Sequence, residues 1–154
     1  MPRDLSEVVE ILKEHGLDFV KLILDSHAET MLRLGSLLDD FLEIALKTQI
    51  VKSGKVVNEK AFQSGGNLHA LADKIKRAKT VGLLDEAARK DADTLRKIRN
   101  EFAHLKTKIH FDSPVIEALA AQLTTYEPGK PNQKAIEAAM DKVTDHLKDA
   151  LKAL

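Results

Sequence analysis

HAETMLRLGSLLDDFLEIALKTQI, residues 27 to 50, repeats Met31, Leu34, Leu38, Phe41, Leu42 and Ala45 at steps of three and four. That spacing gathers side chains on one face of an α-helix. No other stretch is as long or as apolar on one side, so it predicts the central core helix. The run from Leu17 to Ile50 is too long and too apolar for one unbroken surface helix. Ser26 followed by Glu29 offers a capping box within it, which predicts a break near Asp25 and Ser26.

The same period extends in both directions. Asp4 with Glu7 forms a capping box ahead of Leu5, Val8, Val9 and Leu12, a stripe that stops at Gly16, so residues 1–25 read as an N-terminal helical extension. Residues 51–67, VKSGKVVNEKAFQSGGN, lose the period and hold three of the seven glycines, which predicts a solvated loop. Its SGK tripeptide lacks the glycines and the strand of a phosphate-binding loop. LHALADKIKRAKTVG (68–82) ends on a helix-stop glycine, Asp85 starts the next helix, and Asp91 to Lys106 forms another. Ser113 and Pro114 read as cap and first turn for VIEALAAQLTTY, and EPGKPN (127–132) as a turn. The C-terminal helix, 131–154, carries Ile136, Met140, Val143, Leu147, Ala150 and Leu154 at alternating steps of four and three. This narrow seam suits a neighbouring helix in this chain or another. No strand pattern and no long repeat appear. The expectation is all-α: a single-domain, multi-helix bundle over residues 1–154.

Composition narrows the function. A chain of 154 residues is about one domain long, and 44% hydrophobic with 31% charged residues is ordinary for a water-soluble protein. With 24 basic and 24 acidic side chains there is no overall field, so nucleic-acid contact requires a local patch. The lack of Cys excludes thiol catalysis, disulfides and thiolate metal sites. No apolar run reaches the roughly 20 residues of a membrane span, and MPRDLSEVVE lacks the apolar core of a signal peptide. These features predict a cytoplasmic protein with no membrane contact. The six His show no metal-ligand spacing such as HExxH, and no cofactor or metal is expected; His15, His27 and His146 read as surface or cap positions, while His69 and His110 are candidates to approach the helix described next.

LRKIRNEFAHL, residues 95–105, holds the candidate site. On a helical projection Leu95, Ile98, Phe102 and Leu105 share an arc of roughly 80° that faces the core, while Arg99, Ala103, Arg96, Asn100 and His104 follow over the next half turn or so. Small Ala103 lets another surface approach. An Arg supplies a forked, permanent donor for phosphate oxygens and a His transfers protons near neutrality. Together they suit RNA cleavage without a metal, the imidazole assisting attack by the 2′-hydroxyl and the guanidinium stabilising the added charge. A solvated helix face is the other reading. Asp39 and Glu43, one turn apart on the central helix, are ordinary surface carboxylates, a clamp for Arg99, or a metal pair. Between Lys74 and Lys108 eleven Lys and Arg face five Asp and Glu, a basic region suited to nucleic acid or an acidic protein.

Three blocks in order, LLDDFLEIAL (37–46), KIKRAKTVGLL (74–84) and LRKIRNEFAHLKTKIHFDSP (95–114), resemble the mannitol operon repressor (MltR) family and, more distantly, the HEPN superfamily of small helical bundles. The similarity covers about His27 to Tyr126 and leaves out both terminal helices. The MltR resemblance implies a transcriptional repressor of a sugar operon that lacks a DNA-reading element and works through protein partners. The HEPN resemblance implies an endoribonuclease or toxin in which Arg99 and His104 are catalytic, Asn100 is the polar position, and the site is duplicated across a homodimer. No helix-turn-helix pattern is present, which agrees with the repressor reading. The regulator ranks above the enzyme. A homodimer is expected, with the Ala103 stripe or the C-terminal seam buried.

Overall fold

A computed structural model describes residues 19–104 and 109–154, with side chains from residue 26 onward. The expected helix at residues 4–16, together with His15, Leu105, Lys106 and Lys108, lies outside the described residues. Within them the chain is all-α, with six helices: α1 (Phe19–Lys52), α2 (Glu59–Phe62), α3 (Leu71–Thr80), α4 (Glu86–Ala103), α5 (Pro114–Ala120) and α6 (Asn132–Lys152). No described helix is long and apolar enough to cross a membrane.

The central helix is longer than its sequence pattern indicates. α1 runs unbroken for 34 residues, through the expected break at Asp25 and Ser26. A capping box marks only where a helix is able to begin. Here Ala28 packs on the core and His27 reaches Phe111, so continuing the helical phase gains tertiary contacts that a break would lose. α1 buries Met31, Leu38, Leu42, Ala45 and Leu46 against α3, α4 and α6. It ends in a Schellman turn, with the Lys55 amide donating to the Ile50 carbonyl at 3.1 Å and the Gly54 amide to Val51 at 3.0 Å.

The connection after α1 is more ordered than a solvated loop. Asn58 accepts a hydrogen bond from the Lys60 amide at 3.2 Å and starts the single turn α2. Phe62 and Leu68, 6% and 5% exposed, anchor the segment in the core. The expected stop at Gly82 is present: its φ of 82° permits the left-handed turn that closes α3. Asp85 caps α4 as expected, its carboxylate accepting from the Ala88 amide at 2.8 Å. The two helices expected from 85 and from 91 to 106 are one, and it ends at Ala103. Ser113 occupies the N-cap position of α5 without capping it, because its hydroxyl accepts the His110 amide instead, at 3.0 Å. α5 has only seven residues.

The core lies where α1, α4 and α6 meet. α4 contributes Leu95, Ile98 and Phe102, and α6 contributes Ile136, Met140, Val143 and Leu147. From Ile136 to Leu147 the C-terminal seam therefore finds its neighbours in this chain, while Leu154 at its end is 57% exposed. Lys52 donates to the Leu151 carbonyl at 3.2 Å and ties the ends of α1 and α6 together. One carboxylate among the described residues is wholly buried: Asp91 of α4 accepts the amide and the hydroxyl of Thr124, at 2.9 and 2.5 Å, and fixes the α5–α6 connection to α4. Lys142 in turn donates to the same hydroxyl at 3.0 Å.

Candidate functional site

The last turn and a half of α4 carries the polar residues singled out in the sequence, and the packing behind it sets their positions. Gly35 of α1 faces Arg99. A Cβ at Gly35 would stand 2.3 Å from Arg99 Cδ and 2.8 Å from Cγ, far inside contact distance. The glycine thus forms a notch that the arginine stem crosses. From there Nη2 donates to the Asn100 amide oxygen at 3.0 Å. Arg99 and Asn100 are both half-buried, so the guanidinium is oriented by its neighbour and still reaches solvent.

The other predicted residues divide. Arg96 belongs to Asp93, with Nε and Nη2 both 2.9 Å from one carboxylate oxygen, so its fork is occupied within its own helix. Ala103 is exposed. His104 is the C-cap of α4, with ψ of 109°, and its ring is exposed. It has left the helix, so the projection that set it on a stripe with Arg99 stops applying one residue earlier. The structure brings Arg99 and Asn100 into contact and places His104 beyond the helix end.

Asp39 and Glu43 do not clamp Arg99. They hold Lys74 of α3, whose ammonium lies 2.5 Å from Asp39 and 3.8 Å from Glu43 and donates to the His69 carbonyl at 3.2 Å. Lys74 is 4% exposed, and a buried ammonium is tolerated only when several acceptors replace its water. The acids therefore do structural work between α1 and α3. Lys47 continues the chain of charges, 2.8 Å from Glu59 and 3.7 Å from Glu43; its hydrogen bond to Glu59 raises its pKa above the ordinary lysine value. His69 lies here, away from α4, its Nδ1 3.1 Å from the Phe62 carbonyl.

Two histidines gather where α1 meets the segment after α4. His27 accepts the Phe111 amide at Nδ1, at 3.2 Å, and its ring centroid is 4.9 Å from that of Phe111 and 6.4 Å from that of His110. Phe111 is 5.2 Å from Phe102. His110 accepts the Asp112 amide at Nδ1, at 3.1 Å. With Nδ1 an acceptor in both, the proton of each neutral ring sits on Nε2. His27 is thus a tether for the 109–113 segment and not a surface or cap residue. It is separated from Phe111 by 84 positions, so no local pattern marks the contact. Gly35 is a further residue that the motif does not mark. Its signal was available, since a glycine in the middle of a strongly apolar helix costs about 1 kcal/mol relative to alanine and usually has a packing reason.

The basic region is less basic than its composition suggests. Lys74 is buried and paired, Arg89 meets Glu86 at 2.5 Å, and Arg96 and Lys97 share Asp93. His146 accepts the Asp85 amide at 3.3 Å and so lies at the N-terminal end of α4, opposite the end that carries His104. Comparison of the chain with protein-family models, with curated proteins and with solved structures finds no match.

Proposed function

We propose that the protein is a cytoplasmic regulator of the MltR kind, repressing a sugar operon such as that for mannitol as a homodimer that acts through protein contacts. The observation that supports this reading is an apolar line on α1 that has no partner among the described residues. Leu37, Ile44 and Val51 stand seven residues apart and are 52%, 63% and 61% exposed, with half-buried Leu34 and Phe41 beside them. Large aliphatic groups in such a line suit a protein surface better than a charged polymer. The consumption of Arg96 and Lys74 by intramolecular pairs weakens the case for a nucleic-acid face between 74 and 108. The test is transcript profiling of a strain lacking the protein. Sugar-operon transcripts should rise and fall again on complementation, by wild type and by His104→Ala alike.

The endoribonuclease is the second reading, and one observation favours it: Arg99 is preoriented by Asn100, with exposed His104 five residues on. Purified wild type incubated with RNA in EDTA should show no cleavage. Cleavage that falls by about 10²–10⁴-fold in a folded His104→Ala variant would give the site to general acid–base catalysis and reverse the ranking.

A further inference from the structure

A cleft of about 370 Å³ opens between the end of α1, the 53–58 turn, α2 and α3, on the side of the bundle away from the helix end that carries His104. Its size is that of a small-molecule site. Phe62 and Leu68, nearly buried, form its apolar floor. Around the rim stand Arg77, Lys55, Asn58, Asn67 and Gln49, and none of the lining residues is acidic. In a chain with equal numbers of acidic and basic residues, a cleft with only donors and amides on its rim selects for negative charge.

The donors are free to act. Neither Arg77 nor Lys55 is in an ion pair among the described residues, in contrast to Lys47, Lys74, Arg89 and Arg96. Asn58 uses its side-chain oxygen to cap α2, which leaves its NH₂ as a donor. A second depression of about 240 Å³ adjoins the first and shares Asn67, Leu68 and Arg77; it adds Lys76 and one acid, Asp73. Arg77 therefore stands on the ridge between two hollows, able to present its fork to either.

We propose that this cleft binds a small organic oxyanion, a phosphate monoester or a carboxylate, with the anionic head on Arg77 and Lys55 and an apolar body on Phe62 and Leu68. A guanidinium fork and an ammonium match a phosphate's several oxygens better than a carboxylate's two, so the phosphate is the tighter ligand. The site is independent of the regulator reading, because its test measures binding and not transcription.

The experiment is an amide-resolved NMR titration of the full chain with phenyl phosphate, benzoate, inorganic phosphate and benzyl alcohol. Saturable shifts at Asn58, Asn67 and Arg77 are expected with phenyl phosphate, weaker ones with inorganic phosphate, and none with benzyl alcohol. Arg77→Met and Lys55→Met should each raise the Kd by about tenfold, the usual effect of losing one charge-assisted contact. Asn67→Asp should do the same by repulsion. All three residues are exposed, so the fold should persist, which the unshifted part of the spectrum reports directly. Phenyl phosphate should bind more tightly than benzoate, and the reverse order would overturn the assignment of phosphate as the preferred head. Benzyl alcohol binding as well as phenyl phosphate, shifts confined to other surfaces, or affinity unchanged in the three variants would each overturn the proposal.

Discussion

α1 and α6 each carry an apolar line at helical spacing, and the two lines have opposite fates. On α6, Ile136, Val143 and Leu147 are 0% exposed, covered by α1 and α4 of the same chain. On α1, Leu37, Ile44 and Val51 are more than half exposed, while Leu38, Leu42 and Ala45 on the adjacent face are buried. Period alone says that a face wants cover. Which face receives it depends on how the other helices are placed, and that is tertiary information. Ile136, Val143 and Leu147 are therefore already covered within the chain, and the open line on α1 is where a partner would gain most.

The comparison breaks most visibly through truncation. Phe102→Ala should cost about 3–5 kcal/mol and Leu147→Ala about 2–5 kcal/mol in chemical denaturation, from lost burial and an unfilled cavity. Ile44→Ala should stay within about 0.5 kcal/mol under dilute, monomeric conditions. Ile44→Asp should then abolish any dimer seen by light scattering at tens of micromolar while the midpoint of the monomer holds. A wild-type monomer at that concentration, or a dimer indifferent to Ile44→Asp, would leave the open line without a role in self-association.

A smaller effect tests the notch that joins the two elements of the candidate site. Alanine at position 35 should gain up to about 1 kcal/mol of helix propensity, but its Cβ collides with the Arg99 stem. Gly35→Ala alone should therefore be neutral or destabilising. In an Arg99→Ala background the same change should stabilise by up to about 1 kcal/mol. Additive behaviour in that double-mutant cycle would show that the arginine stem does not occupy the notch.

The smallest effect belongs to an exposed polar contact. Tyr126 donates to Glu117 at 2.7 Å, and that hydrogen bond lowers the Glu117 pKa below the ordinary carboxylate value and raises that of Tyr126 above the ordinary phenol value. Glu117 thus contributes stability above the ordinary carboxylate range that is lost as pH falls through its depressed folded value. Tyr126 contributes stability below the ordinary phenol range that is lost as pH rises through its raised one. Tyr126→Phe should accordingly lower the melting temperature slightly near neutrality, and the difference should vanish at strongly acid pH. A difference that grows on acidification would assign the effect to packing instead.

Much of this arrangement was readable from residues alone. The all-α class, the Asp85 cap and the Gly82 stop follow from local chemistry, since each depends on neighbours within one turn. The core face of α4 was readable too, because Leu95, Ile98 and Phe102 lie within seven positions of each other. The misreadings share a different cause. Ser26 and Glu29 form a sound capping box that distant contacts override. Asp39 and Glu43 hold Lys74, a partner that none of the three readings of these acids contained, since Arg99 and Lys74 are equally plausible until the side of α1 taken by α3 is known. The position of His104 depended on one residue of helix length. His27 with Phe111, and Asp91 with Thr124, are joined across 84 and 33 positions and leave no trace in a local pattern.

The tie between Lys52 and Leu151 spans 99 positions, and it has a consequence for how the protein is made. During synthesis at about 5–20 residues per second, α1 emerges roughly 5–20 s before the helix that completes its cover. Throughout that interval the face bearing Leu38, Leu42 and Ala45 lacks one wall, next to a line that stays open even in the finished bundle. A nascent chain that has passed Lys52 but not yet Asn132 thus exposes aliphatic surface that the completed chain covers, while Leu37, Ile44, Val51, Val56 and Leu154 stay more than half exposed even when the bundle is complete.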